Sequence, residues 1–108
     1  MVEKYIKDGK VAVLISPGFG AGWSTWNTAD PKLQEIMLFD SDIVKAVLAG
    51  DRTLAAKIAE TKTGEYVCLL GAEDLVVKWV DQGQQFEVDE YDGSESLHLI
   101  GSREYMTA

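Results

Sequence analysis

The residues with the most chemical promise lie together in Ser16-Pro17-Gly18-Phe19-Gly20-Ala21-Gly22-Trp23-Ser24-Thr25-Trp26-Asn27. Three glycines within five positions free backbone N–H groups for a ligand, and Ser24, Thr25 and Asn27 add side-chain donors and acceptors. Trp23 and Trp26 offer rings that stack on a planar molecule. Gly18, Phe19, Gly20, Gly22, Trp23, Ser24, Thr25, Trp26 and Asn27 therefore form the candidate ligand-binding set. A small molecule or nucleotide suits them, with Arg52 or Arg103 to neutralise a phosphate. The glycines fit neither phosphate-binding template. G-x-G-x-G places its third glycine one position too early for the dinucleotide fingerprint, and no Gly-Lys-Ser/Thr ending follows. An ordered loop that folds its aromatics back onto a sheet edge accounts for the same residues, so binding and packing both stand as readings.

Elsewhere the chemistry is thinner. His98 is the only histidine; it could serve as a general acid or base, but no nucleophile motif accompanies it and no second histidine completes a metal site. Cys68, the only cysteine, lies inside Tyr66-Val67-Cys68-Leu69-Leu70 and reads as a small buried hydrophobe. Between Asp81 and Glu104 stand Asp81, Glu87, Asp89, Glu90, Asp92, Glu95 and Glu104, against Arg103 alone. Their spacing does not match a calcium loop. They read as a solvated strand face that resists edge pairing, or as a surface for a basic host protein. No catalytic residue, cofactor or metal is assigned.

The net charge of −8 argues against general nucleic-acid binding and against anionic membranes. Arg52, Lys57 and Lys62 form the densest basic cluster. No apolar stretch approaches the roughly 20 residues that span a bilayer. Met1-Val2-Glu3-Lys4-Tyr5 lacks a signal-peptide pattern, so the expected location is cytoplasmic. A chain of 108 residues, 46% hydrophobic and 26% charged, is expected to fold as one soluble domain over 1–108.

The elements that must position these residues follow from pattern and punctuation. Val2–Lys7 and Lys10–Ser16 flank Asp8-Gly9, a tight-hairpin turn. Val11, Val13 and Ile15 share one face of the second strand and Ala12 and Leu14 the other, which predicts a central strand. Asp30-Pro31, Asp40-Ser41 and Asp51 each start a short helix, and Gly50 ends the second. Beyond Gly64 four strands are expected: Glu65–Leu70, Leu75–Val80, Gln85–Tyr91 and Ser96–Gly101. The predicted class is α+β: an N-terminal β-hairpin, short helices, then a C-terminal antiparallel β-meander, with the helices packed on one sheet.

Two stretches carry a resemblance. Asp8 to Trp26, which contains Ser-Pro-Gly-Phe-Gly-Ala-Gly-Trp-Ser-Thr-Trp, and Phe86 to Ser96, which contains Glu-Tyr-Asp-Gly-Ser-Glu-Ser, resemble small uncharacterised proteins of tailed bacteriophages. The resemblance implies an accessory protein of host-takeover or anti-defence type and brings no catalytic residue with it. The leading expectation is a non-enzymatic module that binds a small molecule or nucleotide at the Gly/Trp loop. An acidic protein-interaction inhibitor comes second, and a small hydrolase using His98 last. Exposed strand edges and apolar loops favour a homodimer.

Overall fold

The strand Lys10–Ile15 (β2) carries apolar side chains on both faces, and Val11 to Ile15 are all buried. It therefore sits in the middle of the molecule, with a layer on either side. The computed structural model describes residues 2–28, 30–64 and 67–100, together with the backbone of 106–107. The fold is α+β, with three helices and two antiparallel sheets. β1 (Ile6–Lys7), β2 and β3 (Val76–Asp81) form the first sheet, in that order. β4 (Gln85–Tyr91), β5 (Ser94–Ile100) and β6 (Met106–Thr107) form the second, in the order β5-β4-β6.

Asp8 and Gly9 adopt positive φ angles of 54° and 76°, as a two-residue hairpin turn requires. They join β1 to β2 with Ile6 opposite Val11. Pairing in the first strand is shorter than Val2–Lys7: Lys4 forms an isolated bridge to Asp40, and the Glu3 carbonyl accepts from Ser41 N. The strand after the helices runs back along β2, Val11 opposite Val80 and Ile15 opposite Val76. It thus belongs to the N-terminal sheet, and the C-terminal strands are divided between two sheets. Val67 to Leu69 are not a strand, and Leu70–Asp74 is a short 3-10 helix; Glu65 and Tyr66 lie outside the described residues.

The helices α1 (Pro31–Phe39), α2 (Ser41–Leu48) and α3 (Arg52–Thr63) start where the aspartates place them. Asp30 accepts from Lys32 N at 2.8 Å, Asp40 from Ile43 N at 3.1 Å and Asp51 from Leu54 N at 2.9 Å. Each such cap is worth about 1 kcal/mol. Ala12 and Leu14 of β2 face the helices, packing with Trp23, Met37, Ile43 and Val44. Val11, Val13 and Ile15 face the second sheet, where they meet Phe86, Val88 and Leu97. Phe39 closes that side edge-on against Phe86, their ring centroids 6.0 Å apart. No helix among the described residues is long and apolar enough to cross a membrane.

Lys62 ties the end of α3 to the start of α2. Its Nζ lies 2.8 Å from both Asp40 Oδ1 and Asp42 Oδ2. These bonds, that to Asp40 first, raise the Lys62 pKa above its ordinary 10.5. Lys62→Met should therefore lower stability at neutral pH by at most about 1 kcal/mol, because the ammonium is partly open to water. The wild-type advantage is complete below 10.5 and disappears as pH rises through the higher folded-state value. Urea unfolding of both proteins at neutral and strongly alkaline pH measures this; a gap that persists in alkali would contradict it.

Candidate functional site

The Gly/Trp loop begins at Ser16, one residue beyond β2, and one buried carboxylate organises it. Glu95 lies on β5 and is 2% exposed. Its Oε1 accepts from Ser16 N at 2.9 Å, while its Oε2 accepts from Trp23 N at 2.7 Å, Thr25 N at 3.0 Å and Thr25 Oγ1 at 2.6 Å. Glu95 N donates in return to Ser16 O at 2.9 Å. Removing a carboxylate from water costs several kcal/mol unless donors replace the lost hydration. Here four donors from one loop do so, and the loop is closed around the carboxylate as a result.

Trp23 is the second anchor. Its ring is fully buried, and Nε1 donates to Met37 O at 2.6 Å. Met37 lies in the last turn of α1, where the helix leaves its final carbonyls without partners. Ser41 N, the next donor in helical register, is engaged by Glu3 O. The indole thus caps a carbonyl that the helix cannot satisfy. Asn27 closes the far end of the loop: its Nδ2 donates to Trp23 O and Cys68 O, and its Oδ1 accepts from Cys68 N. Cys68 itself is half-buried and lies outside any strand, so its backbone is what the loop uses.

The turn between β4 and β5 is pressed against the same loop. Gly20 N donates to Asp92 O at 2.6 Å and Ser94 Oγ donates to Pro17 O at 2.6 Å. Gly93 has a φ of 85°, and a Cβ there would overlap the Ala21 backbone. Asp92-Gly93 is therefore required twice, by the turn and by the close approach. Asp74 packs against Gly18 in the same way: any Cβ on Gly18 would meet its carboxylate.

These contacts divide the candidate set. Gly22, Trp23, Ser24 and Asn27 are buried, and Thr25 spends its N–H and hydroxyl on Glu95. Trp23, Thr25 and Asn27 spend polar groups within the fold, while Gly22 and Ser24 are closed off from water. Gly18 is half-buried, whereas Phe19, Gly20 and Trp26 remain exposed. Phe19 (74% exposed) and Trp26 (41%) line a cleft of ≈ 420 Å³ with Gly20 and Asp92. Leu70 and Tyr91, also well exposed, adjoin residues that touch the loop, Gly71 and Asp92. The surrounding charge is negative, from Asp74, Asp92 and Glu90, whose Oε2 accepts from Gly93 N. Arg52 lends its Nε to Leu75 O, and Arg103 lies outside the described residues.

His98 stands on the outer face of the β4–β5 hairpin. Its Nε2 lies 3.1 Å from Asp89 Oδ2 and 3.3 Å from Ser96 Oγ. Both approach the same ring nitrogen, whereas a Ser–His–Asp relay needs them on opposite nitrogens. The three residues form an exposed cross-strand group, Asp89 directly opposite Ser96.

Glu95 is the residue that reading the acidic tract as a solvated face misses. Strand alternation carries the signal, since Glu95 precedes Leu97 and Leu99 by two and four positions and shares their face. Compared with protein-family models, curated proteins and solved structures, the chain matches none.

Glu95→Gln keeps the shape but turns a donor toward at least one of the loop's N–H groups. It should cost about 2–3 kcal/mol, a fall in Tm on the order of 10–20 °C. Ser24 provides the internal contrast. Its buried Oγ has no hydrogen-bond partner among the described residues, so Ser24→Ala should leave Tm unchanged or slightly raised. Thermal melts of the two variants check both; a neutral Glu95→Gln would remove the carboxylate from its organising role.

Proposed function

We infer that the protein is a non-enzymatic binding module whose contact surface is the aromatic tip of the Gly/Trp loop. The group held there is cationic, a Lys or Arg side chain of a basic partner protein. The observation that carries the reading is the cleft in which exposed Phe19 and Trp26 flank Asp92. Aromatic faces attract ammonium and guanidinium groups by about 0.5–2 kcal/mol each, and a carboxylate alongside adds charge complementarity. A phosphate would meet the carboxylate of Asp92 instead, with no basic side chain among the cleft's lining residues. A nucleotide is therefore the weaker candidate.

Rigidity supports the same conclusion. The bonds to Glu95 immobilise Ser16, Trp23 and Thr25, so the rings are presented at little further cost in loop entropy on binding. The exposed acidic residues of the hairpin, Asp89 and Glu90 among them, extend the negative field that would draw in a basic surface. An accessory protein that captures a basic partner also agrees with the setting that the phage resemblance implies.

Calorimetric titration with an Arg- and Lys-rich peptide, an uncharged peptide of equal length and a set of mono- and cyclic nucleotides tests this. The basic peptide should bind, and the double variant Phe19→Ser with Trp26→Ser should weaken it about tenfold or more, with circular dichroism at the titration temperature showing that the variant, which loses the buried part of Trp26, is still folded. Asp92→Asn preserves the turn, because Asn tolerates positive φ, and should weaken binding several-fold while reducing its salt dependence. Equal binding of charged and uncharged peptides, or binding of a nucleotide alone, would sink the cationic reading.

A further inference from the structure

A second concave surface lies away from the Gly/Trp loop, on the outer side of α2 and α3. It is an open groove of ≈ 600 Å³ between the two helices. Ala46, Ala49, Leu54 and Ile58 contribute its apolar lining. Leu54 is substantially exposed although it points into this lining. Ala46 on α2 and Ala49 at its C-cap keep the groove open, since a larger side chain at Ala49 would occupy it.

The rim has the opposite sign from the rest of the chain. Lys45 borders the groove from α2, and Lys57 and Lys62 border it from α3, against one acidic residue, Asp42. The whole chain carries −8, so this concentration of lysine marks the region as distinct. Lys62 is engaged by Asp40 and Asp42. The ammonium groups of Lys45 and Lys57 have no ion-pair partner among the described residues. Their positions on different helices place positive charge on both sides of an apolar trough.

We propose that this groove docks an acidic amphipathic helix of a partner protein. A helix fits because two neighbouring helices already form the walls, and a third lies between them with its apolar stripe on Ala46, Ala49, Leu54 and Ile58. The stripe of the incoming helix would be spaced i, i+3 or i+4, i+7, as helix-in-groove recognition requires. Lysines on both rims select Asp or Glu on both flanks of that stripe. A basic helix of the same apolar pattern would meet like charge at Lys45 and Lys57 and be excluded. This surface is independent of the aromatic tip, so the chain would present two contact sites of opposite preference.

The test uses a labelled peptide of roughly 18 residues, five helical turns, with a Leu stripe flanked by Glu, and a second in which each Glu is replaced by Lys. Fluorescence anisotropy with the intact protein should show the Glu-flanked peptide bound at least about tenfold more tightly, with affinity falling as salt rises. Lys45→Glu with Lys57→Glu should abolish or reverse that preference. Both lysines are exposed, and unchanged thermal melting confirms that folding is intact. Ala49→Phe fills the groove without altering charge and should block the peptide. The Phe19→Ser and Trp26→Ser double variant should bind the peptide as the wild type does, which separates this surface from the loop. Absence of binding by the Glu-flanked peptide up to about 1 mM, or equal binding of both peptides, overturns the proposal. So does a homodimer in sedimentation that Ala49→Phe dissociates, because the occupant would then be a second copy of this chain.

Discussion

The arrangement of the whole molecule turns on a carboxylate inside it. Glu95 brings together the end of β2, the start of β5 and both halves of the Gly/Trp loop through hydrogen bonds to Ser16, Trp23 and Thr25. The backbone pair between Ser16 and Glu95 also fixes where the second sheet joins the first. A charged group so placed is tolerated only when its oxygens are fully used. The loop's amides would otherwise be buried without partners, so the carboxylate and the loop each make the other's burial affordable. Neither has a stable arrangement alone.

From that junction the layers follow. β2 can be apolar on both faces because helices cover one and the β4–β5 hairpin covers the other. Trp23 connects the loop to the helical layer, filling core space with its ring and capping Met37 with its N–H. Asn27 connects it to the segment that precedes β3 through both atoms of its amide and the Cys68 backbone. The loop is thus an ordered part of the core, and only its tip is free to make contacts. Rigid support beneath exposed rings is what a contact surface needs, since little motion must then be frozen out on association.

Charge is partitioned across the surface in a way that the total of −8 conceals. Acidic side chains gather around the loop tip and the outer face of the hairpin, while lysines gather on the α2–α3 groove. Lys62 takes part in both structure and surface, joining two helices through Asp40 and Asp42 while bordering the groove. Regions of opposite sign favour different partners and discourage indiscriminate association.

Local chemistry was legible in the sequence because its causes are local. The Asp caps of α1, α2 and α3, the Asp8-Gly9 turn and the double-sided burial of β2 each depend on residues within a few positions of one another. The roles of Glu95, Trp23 and Asn27 were not legible, because their partners lie far along the chain. Nothing near Glu95 announces that Ser16 and Thr25 will surround it, and the acidic residues beside it made solvation the simpler expectation. Short turns between the C-terminal strands predict a consecutive meander; the folded chain instead places β3 beside β2, because that pairing completes the sheet on which the helices rest. Sequence alone thus determined the three helices, the central strand and the inventory of the Gly/Trp loop. Tertiary structure decided which of its side chains face the core and which face water, since burial of a polar group depends on donors and acceptors that only folding brings within reach.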